Sequence, residues 1–202
     1  MVAAIVRILP LFLALPLLAS AAACGSEDTQ GGGGDEDILP DAEPPCLDPL
    51  PCATWIQDYE KEVVSRITGH SELREGLTIE QRFTEAEREE VRLYLEEELR
   101  TYGLEPKRHL YGTGENVFAV LPSTVQGGAR VLLGCHYDSI EGSPAAGDDG
   151  TGVALVLAAA RYFASLEERE NEMTFIFFDE EEKGLIGSQA YAERARLENP
   201  PL

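Results

Sequence analysis

Basic residues are scarce in this chain: 16 Lys and Arg stand against 37 Asp and Glu in 202 residues, a formal net charge of -21. A surface of that sign repels phosphate backbones and argues against nucleic acid as a partner. It suits cationic ligands such as a free peptide N-terminus, although acidic surfaces also serve solubility alone. Histidine is scarcer, with three residues, His70, His109 and His136, and none after His136. Cysteine numbers four. Cys46 and Cys52, separated by five residues in a Pro-rich segment, are candidates for a small disulfide loop in an oxidising compartment. No His or further Cys stands beside them to build a zinc site. Cys135, at the end of an apolar strand pattern, reads as a buried free thiol. The apolar run Ile8 to Leu18 is too short to span a bilayer comfortably and carries Pro10 and Pro16. No internal repeat is apparent.

The hydrophobic fraction of 44% is ordinary for a globular protein, and the length allows one domain with accessory segments. Arg7, the apolar run and the small residues Ala19 to Ala23 make residues 1–23 a signal peptide. The small residues end in Cys24, as in a bacterial lipobox, with Ala21 where Leu is usual. Cys24 is therefore the lipidation candidate, and cleavage after Ala23 with ordinary secretion is the alternative. Either way the protein is expected to be exported, as a cell-envelope lipoprotein held to the membrane through Cys24 or as a secreted protein. Residues 24–53, with Gly31 to Gly34 among acids, form a flexible tether that includes the Cys46/Cys52 loop.

From residue 54 the pattern is that of a folded domain. Trp55, Tyr59, Val63 and Ile67 recur at helical spacing. Thr84 with Glu87 forms a capping-box pattern that opens a second helix running to Gly103, whose many Glu and Arg read as a solvated face. Strands are expected over 105–111, 116–121, 130–135 and 173–178, the last nearly all apolar and so buried on both faces. Helices are expected over 151–166 and 184–197. This order predicts an α/β fold, a mixed, mostly parallel sheet with helices on both faces.

Three acidic motifs follow the strand ends. In the first, His136 and Asp138 lie two apart, on one face of an extended chain, with the carboxylate placed to fix the imidazole tautomer. Asp148 and Asp149 precede Gly150-Thr151-Gly152 and a helix; one of the two is expected to cap it. Asp179 to Glu182 are four consecutive acids, costly to gather unless cations or protons neutralise them. One imidazole and several carboxylates at one sheet edge form a ligand set suited to zinc or a similar divalent ion.

His136-Tyr137-Asp138-Ser139, Gly147-Asp148-Asp149-Gly150-Thr151-Gly152 and Glu181-Glu182-Lys183-Gly184-Leu185-Ile186-Gly187-Ser188, with Glu115-Asn116-Val117 upstream, resemble the M28 family of co-catalytic zinc aminopeptidases. The resemblance implies a phosphorylase/hydrolase-like zinc-peptidase fold and two Zn2+ per complete site. His136 and Glu182 would each ligate one zinc, with Asp148 bridging both. Glu181 would be the general base that takes a proton from the attacking water, and Asp138 would orient His136. The peptide joining Asp148 to Asp149 would be cis. The substrates implied are peptides with a free N-terminus, cleaved at the N-terminal peptide bond. In the acidic run, Gly184-Leu185 sets the family's Glu-Glu-x-Gly-Leu register on Glu181 and Glu182, where Glu180 and Glu181 would otherwise compete.

The family's later Asp and His ligands have no counterpart up to Leu202. Residues 54–202 are thus expected to be the N-terminal part of the domain, incomplete at the C-terminus, with impaired activity and exposed apolar sheet surface. Two alternatives stand beside the aminopeptidase: a glutaminyl-peptide cyclase-like enzyme with a single zinc, and a non-catalytic surface lipoprotein remnant that binds metal or a partner.

Overall fold

Tyr59, Val63 and Ile67 share one face of α1, Ile56–Ile67, and all three are buried. The structure, a computed structural model, describes residues 53–198. The signal peptide, Cys24, the greater part of the tether, and Cys46 and Cys52 lie outside the described residues. Helix α2, Glu85–Thr101, opens with the expected capping box: the Thr84 hydroxyl accepts from the Glu87 amide, and the Glu87 carboxylate accepts from the Thr84 amide. The strands are β1, Lys107–Tyr111, β2, Gly114–Leu121, β3, Arg130–His136, and β4, Glu172–Phe178. An irregular turn, Ala146–Gly150, leads into α3, Thr151–Ser165, and α4 covers Ile186–Glu198. Among the described residues no helix is long and apolar enough to cross a membrane.

The four strands form one mixed sheet in the order β1-β2-β4-β3. The β1–β2 and β2–β4 pairs are antiparallel and β3–β4 is parallel, so the sheet is mixed as expected but, among the described strands, not mostly parallel: β1 and β2 form a hairpin, and β2 runs against β4. β4 is inner, and the alternation of its side chains divides the core. Met173, Phe175 and Phe177 lie level with Leu121, Ala119 and Val117 of β2 and with Val131, Leu133 and Cys135 of β3. This face carries the main core, with Val91, Leu95 and Leu99 of α2 and Val153 and Leu157 of α3. Phe175 and Phe177 are fully buried, each contributing roughly 2–3 kcal/mol relative to exposure. Phe118 and Ile176 point the other way and are buried on the side of α4, where Tyr191 packs edge-on against Phe118, Phe178 and His109. Helices therefore cover both faces.

Cys135 is a buried free thiol, as expected. On the outer strand β3, Leu132 is 50% exposed and Val131 36%. His136 ends β3 level with Phe178, which ends β4. The parallel pairing thus delivers Tyr137–Ser139 and the acidic run 179–182 to the same edge of the sheet.

Candidate metal centre

The four acids after β4 divide into two pairs. Asp179 and Glu180 turn inward and are 0% and 2% exposed. Asp179 meets two guanidinium groups from α2, Arg92 at 3.1 Å and Arg88 at 2.8 Å. The Arg88 Nε approach is a charge contact without hydrogen-bond alignment. Burial pushes the Asp179 carboxyl above its ordinary value, and Arg88 offsets that only in part. Burial also opposes charge on Glu180, but hydrogen bonds from Thr113 and Lys183 outweigh it and hold Glu180 below its ordinary value. The expectation of a solvated charged face on α2 is thereby corrected. Arg88, Arg92 and Glu96 are buried, because Arg88 and Arg92, four apart, fall on the helix face that meets the acidic loop.

Glu181 and Glu182 turn the other way, toward His136. Their backbone amides donate to the two oxygens of Asp138, at 3.0 and 3.1 Å. The same carboxylate lies 3.3 Å from His136 Nδ1. Asp138, 2% exposed, therefore fixes the imidazole and the outer acids together. Burial opposes its charge, and the His136 contact and the two amides overcome that and lower its pKa.

The opposite ring nitrogen, Nε2, lies 2.9 Å from Asp148 Oδ1 and 3.9 Å from Glu181 Oε2. Burial would lower the imidazole pKa, yet the bonds to Asp138 and Asp148 and the charge of Glu181 push it up to about 9. Glu182 is raised by burial and by the charge of Asp148. Both shifts follow from carboxylates gathered around one imidazole. Asp148 is held loosely, with its side chain 82% exposed. Asp149 is the helix cap: its Oδ1 accepts from Gly152 N at 2.9 Å, while Oδ2 lies 3.4 Å from His136 N. The peptide between Asp148 and Asp149 is cis.

One imidazole and the Asp148, Glu181 and Glu182 carboxylates form a hard, anionic donor set that fits a zinc-class cation. Among the described residues no three His, Cys, Asp or Glu side chains are gathered closely enough to hold a metal ion as they stand. Asp148 Oδ1 instead lies against the imidazole Nε2. Of the other histidines, His70 is exposed, and His109 is buried among aromatic rings. Neither joins the site.

Arg82 escaped the sequence reading. It is fully buried, and its guanidinium donates to the carbonyls of Tyr137, Ile67, Pro144 and Ala145. Ser139 Oγ accepts from its amide at 2.9 Å. One side chain thus ties the His136 strand end to the turn that carries Asp148. Burial lowers its pKa to about 10, with Asp138 and Asp149 opposing, so it stays charged at neutral pH. Its position between two helix patterns, in a stretch without periodicity, gave no signal. For Arg88 and Arg92 a signal existed, since a four-acid run requires cations and these two share a helix face.

The family model for peptidase family M28 matches residues 116–201, a span holding all of these acids and the imidazole. Over this stretch the chain resembles peptidase family M28. The chain is 35% identical over 82 residues to aminopeptidase YwaD of Bacillus subtilis, covering 40% of the chain and 18% of the relative. It is 41% identical over 63 residues to the probable lipoprotein aminopeptidase LpqL of Mycobacterium tuberculosis, covering 31% and 13%. Both matches span less than a fifth of the relative. Among solved structures, the LapA aminopeptidase of Legionella pneumophila shares the fold, with a TM-score of 0.60 at 23% identity over 72% of this chain and 40% of that one.

Proposed function

We propose that this chain carries the His136, Asp148 and Glu182 part of a zinc-dependent aminopeptidase site that hydrolyses the N-terminal peptide bond of peptides. The observation that carries the reading is the convergence of His136, Asp148, Glu181 and Glu182 around Asp138 at one sheet edge. The match of residues 116–201 to the M28 family model and the aminopeptidase relatives support it. His136 and Glu182 would each hold one Zn2+ and Asp148 would bridge the two. Bound zinc supplies a Lewis acid that polarises the scissile carbonyl and lowers the pKa of water.

The chain's own residues do the rest. Asp138 keeps a proton on His136 Nδ1, so that Nε2 is the nitrogen offered to the metal. Glu181, 35% exposed and held by its backbone rather than by a salt bridge to Arg or Lys, is free to take a proton from water and pass it to the leaving amine.

The same reading assigns residues 1–23 to export, Cys24 to lipid anchoring and 24–53 to a tether. The relative described as a probable lipoprotein aminopeptidase supports this part.

The test is Zn2+ titration of the full chain, with metal counted per chain, beside release of p-nitroaniline from aminoacyl p-nitroanilides. Two zinc ions with turnover lost in Glu181→Gln support the proposal. One zinc with cyclisation of an N-terminal glutamine would favour the cyclase-like alternative. Zinc binding without turnover would favour the non-catalytic alternative; no binding would overturn both zinc-enzyme readings and leave only a remnant that binds a partner.

A further inference from the structure

We propose that Asn116 is the positioning residue for the loop that carries Glu181 and Glu182, an inference that rests on the reading of those residues as a metal site. Asn116 lies in β2 with its side chain fully buried on the α4 side of the sheet. Its Oδ1 accepts from the amide of Asp179 at 2.9 Å, and its Nδ2 donates to the carbonyl of Gly187 at 2.8 Å. Asp179 opens the loop and Gly187 stands in the first turn of α4 where the loop ends, and the two also bond each other, Gly187 N to Asp179 O at 3.1 Å. The side-chain amide therefore acts as an extra peptide unit that closes the loop into a ring. His109 Nδ1 lies 3.1 Å from the same Nδ2 and holds the amide in this orientation.

Three further observations make the fastening specific. A Cβ on Gly187 would collide with Asp179 O, Asn116 Oδ1 and the Tyr111 hydroxyl, so glycine is what lets the amide approach. Inside the ring, Glu180 and Leu185 both adopt left-handed backbone, φ 56° and 62°. Such residues persist only where their surroundings over-determine them. Finally, the Asn116 side chain hydrogen-bonds Asp179, Gly187 and His109 and neither Glu181 nor Glu182, so its influence on them passes through the backbone. The amide supplies one acceptor and one donor in a fixed plane. An aspartate there offers only the acceptor, and an alanine offers neither.

The experiment compares the full chain with Asn116→Ala, Asn116→Asp and Gly187→Ala. It follows Zn2+ affinity by competition with a chromophoric chelator, amide hydrogen exchange and urea unfolding. The expected result for Asn116→Ala is a Zn2+ affinity lower by about 10–100-fold. Amides of residues 180–187 should exchange at least about tenfold faster, while β2–β4 amides keep their protection. Asn116→Asp should release the Gly187 end and leave the Asp179 amide protected, a split that general destabilisation would not produce. Gly187→Ala presses on the ring from the opposite side and should match Asn116→Ala; it decides the matter if the Asn116 variants fail to fold. A folded variant with wild-type Zn2+ affinity, or equal loss of protection in the loop and the sheet, overturns the proposal. If the wild-type chain binds no Zn2+, the metal reading fails by itself, and the exchange pattern alone decides whether Asn116 holds the loop.

Discussion

The loop after β4 is gripped from the two faces of the sheet by opposite kinds of chemistry. On the α2 side the hold is ionic: Arg88 and Arg92 meet Asp179 in a buried cluster that also draws in Glu85 and Glu89. On the α4 side it is neutral, through the amide of Asn116, the imidazole of His109 and the ring of Tyr191. The difference shows how one acidic run serves two ends. Buried guanidinium groups capture Asp179 and Glu180, and with those two removed, the next two acids are left to face His136. The neutral grip on the other face fixes the loop's ends without adding a charge that would compete for Glu181 and Glu182.

The ionic grip is the one whose loss should cost most. Asp179→Asn leaves Arg88 and Arg92 short of a buried counter-charge and is expected to lower unfolding free energy by about 3–5 kcal/mol in urea melts. A change below about 1 kcal/mol would mean that the two faces do not differ in the way described. Next in size is the residue that hands the loop over to the imidazole. Asp138→Asn should reduce Zn2+ affinity by about 10–100-fold, measured by chelator competition, because it disturbs His136 and the Glu181–Glu182 amides together. The smallest effect concerns the neutral grip. Burial lowers the His109 pKa, Arg194 lowers it further, and Glu198 opposes; Asn116, Tyr111 and Tyr191 complete its surroundings. A lowered histidine keeps its stabilising contribution above the unfolded value of about 6.5 and loses it as pH falls below that value. Unfolding free energy between pH 7.5 and 5.5 should therefore fall more steeply in the wild type than in His109→Gln; parallel curves would remove His109 from the neutral grip.

Much of this was legible in the sequence because the local signals agreed with the global fold. The capping box at Thr84, the apolar run of β4 and the periodic residues of α1 each describe their own surroundings. That one of Asp148 and Asp149 caps α3 was readable for the same reason. What stayed hidden depends on partners far apart in the chain. Arg82 bonds residues 137, 144 and 145, and Arg92 reaches Asp179. No window along the sequence places those groups together, and a charged residue in an acidic helix looks solvated until its neighbour across the fold is known.

The strand order has one further consequence, for the timing of folding. β2 and β3 follow one another in the chain yet never pair; each pairs with β4, which arrives only at residues 172–178. Only the β1–β2 hairpin is local, and the remaining sheet contacts span some forty residues or more. Such non-local pairing slows folding, because loop closure must precede any reward. A nascent chain that has not yet delivered Phe178 holds a hairpin and helices whose apolar faces await the strand that joins them. During synthesis, the edge that gathers His136 and the acids is therefore among the last parts of the described chain to form.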